Sequence, residues 1–199
     1  MSKLAISFFF GVVILLAGCK DEKIDKNAFS MQSNISKEEL NKAQNLDKAS
    51  YAGLEHIFLD TSKISSDGKY IMLIFGKNNC QWCDRLKYDI KEDKSTQEIL
   101  LKNFNSYYIN LSYSKQHHLD FDGKTSTMDS ANLSAQYNIR PTPTIVFLDK
   151  NGMPIVIYPG YLPQDKFRIF LNFVASGEYK TAKNQMQMHQ MLQEKLQGE

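Results

Sequence analysis

No charge of one sign dominates this 199-residue chain: 24 Lys and Arg face 22 Asp and Glu, a formal net charge of +2. That near-balance excludes the strongly basic surface expected of a nucleic-acid-binding protein. Histidine is scarce, and the four residues are too scattered to suggest a metal cluster. Cysteine is scarcer, with only Cys19, Cys80 and Cys83. Asp84 follows the second cysteine of Cys80-Gln81-Trp82-Cys83, where covalent haem attachment needs histidine. A hydrophobic run long enough to anchor the chain across a bilayer is missing too. The best candidate, Leu4 to Leu15, is short and broken by Ser7 and Gly11.

That short run, preceded by Lys3, reads as the h-region of a secretory leader covering residues 1–18. It ends in Leu16-Ala17-Gly18-Cys19, which resembles the lipobox of bacterial lipoproteins. The resemblance implies cleavage before Cys19, a diacylglycerol thioether on its sulfur and acylation of its new amino group. Several acyl chains hold a protein to a membrane stably where one does not. The competing readings are an uncleaved anchor and a chance cysteine. Small residues directly before Cys19 and the polar stretch after it favour lipidation. Cleavage removes Lys3 alone and lowers the formal charge from +2 to +1. Cys80 and Cys83 then remain as an even pair in an oxidising compartment.

Along the mature chain, residues 19–50 read as a tether followed by a helix. Lys20 to Asn34 is polar and aperiodic, and Ser36 with Glu39 forms a capping-box pattern before Leu40, Ala43 and Leu46. A second helix is expected near Tyr51 to Leu59, with Leu54, Ile57 and Phe58 at core spacing. Ser65-Ser66-Asp67-Gly68 signals a turn, and Tyr70 to Phe75 is apolar throughout, as in a strand covered on both faces. Leu86 and Ile90 continue a helix from the cysteine pair, and Ser95 to Glu98 forms another capping box. Asn105 to Leu111 reads as a strand, 112–128 as a polar inserted segment, and Ser130 to Tyr137 as a short helix. Thr144–Leu148 and Ile155–Tyr158 flank the turn Asp149-Lys150-Asn151-Gly152 as a hairpin. Phe167, Phe170, Leu171 and Val174 mark an amphipathic helix, and residues 178–199 a Met- and Gln-rich helical tail. Strands alternating with helices predict an α/β fold with a central mixed sheet.

The chemistry concentrates where a buried strand hands over to a helix. Unpaired N–H groups at a helix N-terminus favour an anion, so a thiolate at Cys80 is stabilised there. A spacing of three residues lets Cys83 reach Cys80 and resolve a mixed disulfide formed on it. With Tyr137-Asn138-Ile139-Arg140-Pro141-Thr142-Pro143-Thr144 as a second signature, the chain from Tyr51 to Tyr179 resembles the thioredoxin superfamily, which implies a thioredoxin-like domain at 51–177. With Trp82 between the cysteines, Thr142-Pro143-Thr144, and an endpiece from Gly160-Tyr161-Leu162-Pro163 to Ser176-Gly177-Glu178-Tyr179, it resembles periplasmic thioredoxin-like proteins of the SoxW kind, which implies a lipoprotein of that type.

The resemblance implies a thioredoxin fold and a cis peptide bond before Pro143, facing the pair. It also implies a substrate groove of Trp82, Thr142 and Pro143, and Cys80 and Cys83 as catalytic residues. Three departures stand out. Asn79 occupies the place of a tryptophan before the first cysteine, and Ile74 that of a buried acid. Sixty positions separate Cys83 from Pro143, which fits an insertion near 112–128.

Blander readings compete. The pair could be an inert structural disulfide or half of a zinc site with His117 and His118, although adjacent histidines poorly replace a second paired cluster. Lys77, Arg85 and Lys87 read mainly as a solvated rim. Met186, Met188, His189 and Met191 offer soft ligands suited to Cu(I), but Met188, Met191, Leu192 and Lys195 also follow helical spacing. The expected function is exchange of disulfides with exported proteins in the cell envelope, in the reducing or isomerising direction. It needs no metal or organic cofactor and takes electrons from a membrane donor. The alternative is a non-enzymatic binding lipoprotein such as a copper carrier.

Overall fold

The computed structural model describes residues 46–198, so Cys19, the tether and the Ser36 capping box lie outside the described residues. Residues 46–49 are helical, with Leu46 exposed and Asp47 buried. Seven strands follow: β1 (Lys63–Ser65), β2 (Tyr70–Gly76), β3 (Phe104–Asn110), β4 (Gln116–Phe121), β5 (Lys124–Asp129), β6 (Thr144–Leu148) and β7 (Pro154–Pro159). The helices are α1 (Gln81–Glu92), α2 (Lys94–Asn103), α3 (Ser130–Gln136), α4 (Gln164–Ala175) and α5 (Gln185–Gln197), with a 3₁₀ turn at Glu178–Thr181.

The main sheet runs β3-β2-β6-β7, with β2 parallel to β3 and antiparallel to β6, and β6 antiparallel to β7. It is the mixed sheet expected from the pattern. Every residue of β2 is buried because its alternating side chains serve two different cores. Tyr70, Met72 and Ile74 pack with Leu86, Ile90, Phe167 and Phe170 beneath the helices. Ile71, Leu73 and Phe75 pack on the opposite face with Ile64, Leu119, Leu133 and Tyr137.

Four expectations are refined. Residues 51–59 form successive turns instead of a regular helix. Leu54 N–H bonds to the Tyr51 carbonyl and Ile57 N–H to that of Leu54, while Gly53 at φ +81° breaks helical continuity. Leu54, Ile57 and Phe58 are nevertheless buried. The capping box at Ser95 is displaced: α2 begins at Lys94, and Asp93 caps it by accepting from Ser95 N–H and the Thr96 hydroxyl.

The inserted segment is ordered. β4 and β5 form an antiparallel hairpin around Asp122-Gly123, and β4 pairs in parallel with β1, a short strand leading into the expected turn at Ser65–Gly68, which Lys69 N–H closes on the Ser66 carbonyl at 2.8 Å. The tail forms α5, which contributes Met188, Leu192 and Leu196 to the same core as α4.

Candidate functional site

At the C-terminal end of β2 the chain enters a loop held by asparagines. Asn78 N–H donates to Ser112 Oγ at 2.9 Å, its side-chain carbonyl accepts from Asn110 Nδ2 at 2.8 Å, and its amide reaches the Tyr113 hydroxyl at 3.0 Å. Asn79 follows at φ +54°, a left-handed conformation that asparagine tolerates better than most residues. This turn delivers Cys80 as the N-cap of α1, with φ −113° and ψ 95°.

Cys80 and Cys83 are joined by a disulfide, with S–S 2.10 Å and Cα–Cα 5.2 Å. Cys80 Sγ accepts from Cys83 N–H at 3.2 Å and from the Thr142 hydroxyl at 3.4 Å, and lies 3.4 Å from the Thr142 carbonyl oxygen. Two donors aimed at one sulfur, at the positive end of a helix, favour the anionic form of that sulfur over the thiol. Cys80 retains 7% exposure and Cys83 has none. Cys80 is therefore the less covered of the two.

The Thr142–Pro143 bond is cis, and the Pro143 carbonyl accepts Gly160 N–H at 2.8 Å. Gly160 sits at φ +102°, which a side chain would resist. Thr144 Oγ donates to the Pro141 carbonyl at 2.8 Å. Cys80, Cys83, Thr142 and Pro143 are thus gathered although about sixty positions of sequence separate them. Trp82, between the cysteines, is 54% exposed and stacks on Tyr161.

The flanking cations are engaged elsewhere. Lys87 Nζ pairs with Asp84 at 3.0 Å and donates to the Ser50 carbonyl, and Arg85 pairs with Asp89 at 3.0 Å. Lys77 is exposed. Nor does His117 approach the pair as a ligand. It is buried on β4, with Nδ1 on the Thr61 carbonyl at 2.7 Å and Nε2 on Ser130 Oγ at 2.9 Å, while His118 is exposed. Met188 is buried in the tail interface and Met186 is 82% exposed, so these two thioethers occupy different environments.

Sequence reasoning missed Asp89 and Tyr161. Asp89 lies in the buried stripe Cys83, Leu86, Asp89, Ile90 of α1. A carboxylate in an apolar stripe was the signal that could have exposed it.

Residues 57–175 match the model of the thioredoxin-like domain family. A thioredoxin-fold protein from Helicobacter pylori is 38% identical, with 76% of this chain and 96% of that one covered and a TM-score of 0.73. A thioredoxin from Thermus thermophilus is 21% identical over 54% of this chain and 74% of its own, with a TM-score of 0.42. No curated protein matches in sequence.

Proposed function

This chain belongs to the thioredoxin-like family, and from that premise we propose that it is a thiol–disulfide oxidoreductase of the bacterial cell envelope, working on exported proteins. The observation that carries the reading is the Cys80–Cys83 disulfide at the N-terminus of α1, with Thr142 bonded to the Cys80 sulfur.

In the reducing direction the Cys80 thiolate attacks one sulfur of a substrate disulfide. A new S–S bond forms, the substrate bond breaks, and the leaving thiolate takes up a proton. Cys83, deprotonated, then attacks Cys80 Sγ and releases the second substrate thiol. Two electrons pass to the substrate, and the chain is left as the disulfide seen here. A second dithiol must reduce it again, a role suited to a membrane donor passing electrons from the cytoplasm. The dithiol carries both electrons itself, so the cycle calls for no metal or organic cofactor.

Thr142 and Pro143 line the groove in which the substrate strand lies, and Trp82 flanks it. The leader at 1–18, lipidation of Cys19 and a tether through residue 50 would keep the domain facing the periplasm while bound to a membrane. The likeness to envelope proteins of the SoxW kind supports the reducing or isomerising direction.

The test is trapping on two single variants. Cys83→Ser should accumulate mixed disulfides with envelope proteins, and Cys80→Ser almost none. Equal alkylation of both thiols near neutral pH, with no reduction of insulin by the wild-type chain in the presence of dithiothreitol, would refute the reading.

A further inference from the structure

A second set of contacts closes a ring around the redox pair. It runs from Cys80 Sγ to the Thr142 hydroxyl, through Pro143 to Gly160 N–H, and on to Tyr161. The Tyr161 ring stacks on the Trp82 indole, with centroids 5.2 Å apart and planes 23° apart, which returns the path to the motif.

Tyr161 is held at its other end as well. Its hydroxyl donates to Asp89 Oδ2 at 2.5 Å, and Asp89 Oδ1 accepts from Arg85 Nε at 3.0 Å. Residues 82, 85 and 89 are spaced by three and four, so they share one face of α1. Asp89 is 3% exposed, and a buried carboxylate is costly unless donors satisfy it. Both donors here are also parts of the surface beside the disulfide. Burial, and then the bond to Asp89, push the Tyr161 hydroxyl above its usual range. The disulfide chemistry uses none of these three residues. A groove of about 550 Å³ opens beside them, lined by Trp82, Arg85, Tyr88 and Tyr161.

We propose that Tyr161, held by Asp89 and Arg85, is a positioning residue that fixes the half-exposed Trp82 indole as a preformed wall for the polypeptide carrying the target disulfide. The proposal rests on the oxidoreductase reading above. An unsupported indole on the surface has to be ordered each time a polypeptide binds. Ordering one such side chain weakens binding by about 3- to 10-fold. Tyr161 does not touch the sulfurs, so the effect belongs in KM and leaves kcat within about twofold.

Trp82 is the sole tryptophan of the chain, so its emission reports this one position. The experiment uses the full chain with insulin as substrate and dithiothreitol as reductant. Tyr161→Ala should raise KM for insulin about 10-fold, and Tyr161→Phe, which keeps the ring but loses the bond to Asp89, about 3-fold. Acrylamide quenching of Trp82 should increase in the same order. Tyr161→Phe is isosteric, so it decides the matter if the alanine variant folds poorly. Unchanged KM and quenching in Tyr161→Phe and Tyr161→Ala, or a fall confined to kcat, would overturn the proposal. A wild-type chain inert towards insulin would instead overturn the oxidoreductase reading. Quenching, which needs no turnover, would still decide whether Tyr161 holds Trp82.

Discussion

Replacing Gly76 with alanine tests how tightly the end of β2 is built against the motif. Gly76 does not have a left-handed φ, so alanine meets no backbone penalty there. The obstacle is steric. A Cβ at this position would stand 2.0 Å from the Tyr108 hydroxyl oxygen and 2.5 Å from Cζ, where ordinary contact begins at 3.4 Å. The phenol must therefore retreat by about 1.4 Å. Tyr108 is 1% exposed, with Phe58 at 5.8 Å and Tyr51 at 6.3 Å between ring centroids and Lys87 Nζ over its face. Overpacking costs about 1–3 kcal/mol, and this walled site belongs in the upper half, about 2–3 kcal/mol. In a domain of this size that lowers Tm by about 5–10 °C. Urea unfolding should show a reduced midpoint with an unchanged slope. Adding Tyr108→Phe removes the nearest atom but not Cζ, so the double variant should recover part of the loss. A Gly76→Ala chain within about 0.5 kcal/mol of wild type, or no coupling between the two substitutions, would refute the steric argument.

Acid should weaken the fold through Asp93. Burial alone would raise its pKa, but bonds from Thr96, Gln164 and Arg168 outweigh that and hold it at about 2. With an unfolded value near 3.9, its contribution of about 2–3 kcal/mol is complete above pH 4 and lost as pH falls through about 2. Asp93→Asn should flatten that part of the stability curve, measured by urea unfolding across pH, and an unaltered slope would count against it. Leu192→Ala, at a buried contact of α5, should cost about 2–3 kcal/mol in the same assay. No change in midpoint would mean that the tail stabilises nothing. Cys19→Ala should release the protein into the soluble envelope fraction or block its processing. Normal processing with retention in detergent-phase membranes would sink the lipid anchor.

What the sequence determined by itself was local and periodic. The unbroken apolar run Tyr70–Phe75 after a turn signal read as a strand covered on both faces, and β2 is buried throughout. The spacing of Phe167, Phe170, Leu171 and Val174 specified one buried face, and all four are in the core of α4. The cysteine pair at a strand–helix junction and the Thr142-Pro143 signature were legible because each is a contiguous motif. Tertiary structure decided the rest, because it depended on partners distant along the chain. The polar residues 116–129 carry no apolar alternation strong enough to announce strands, and they pair because β1 offers β4 a parallel edge. Asp93 displaced Ser95 as the cap because Thr96 and Arg168 converge on its carboxylate. Asp89 and Tyr161 stand 72 positions apart, and only the fold makes them partners. A motif can state that a disulfide is present, but its surroundings are assembled by packing, which no short window of sequence contains.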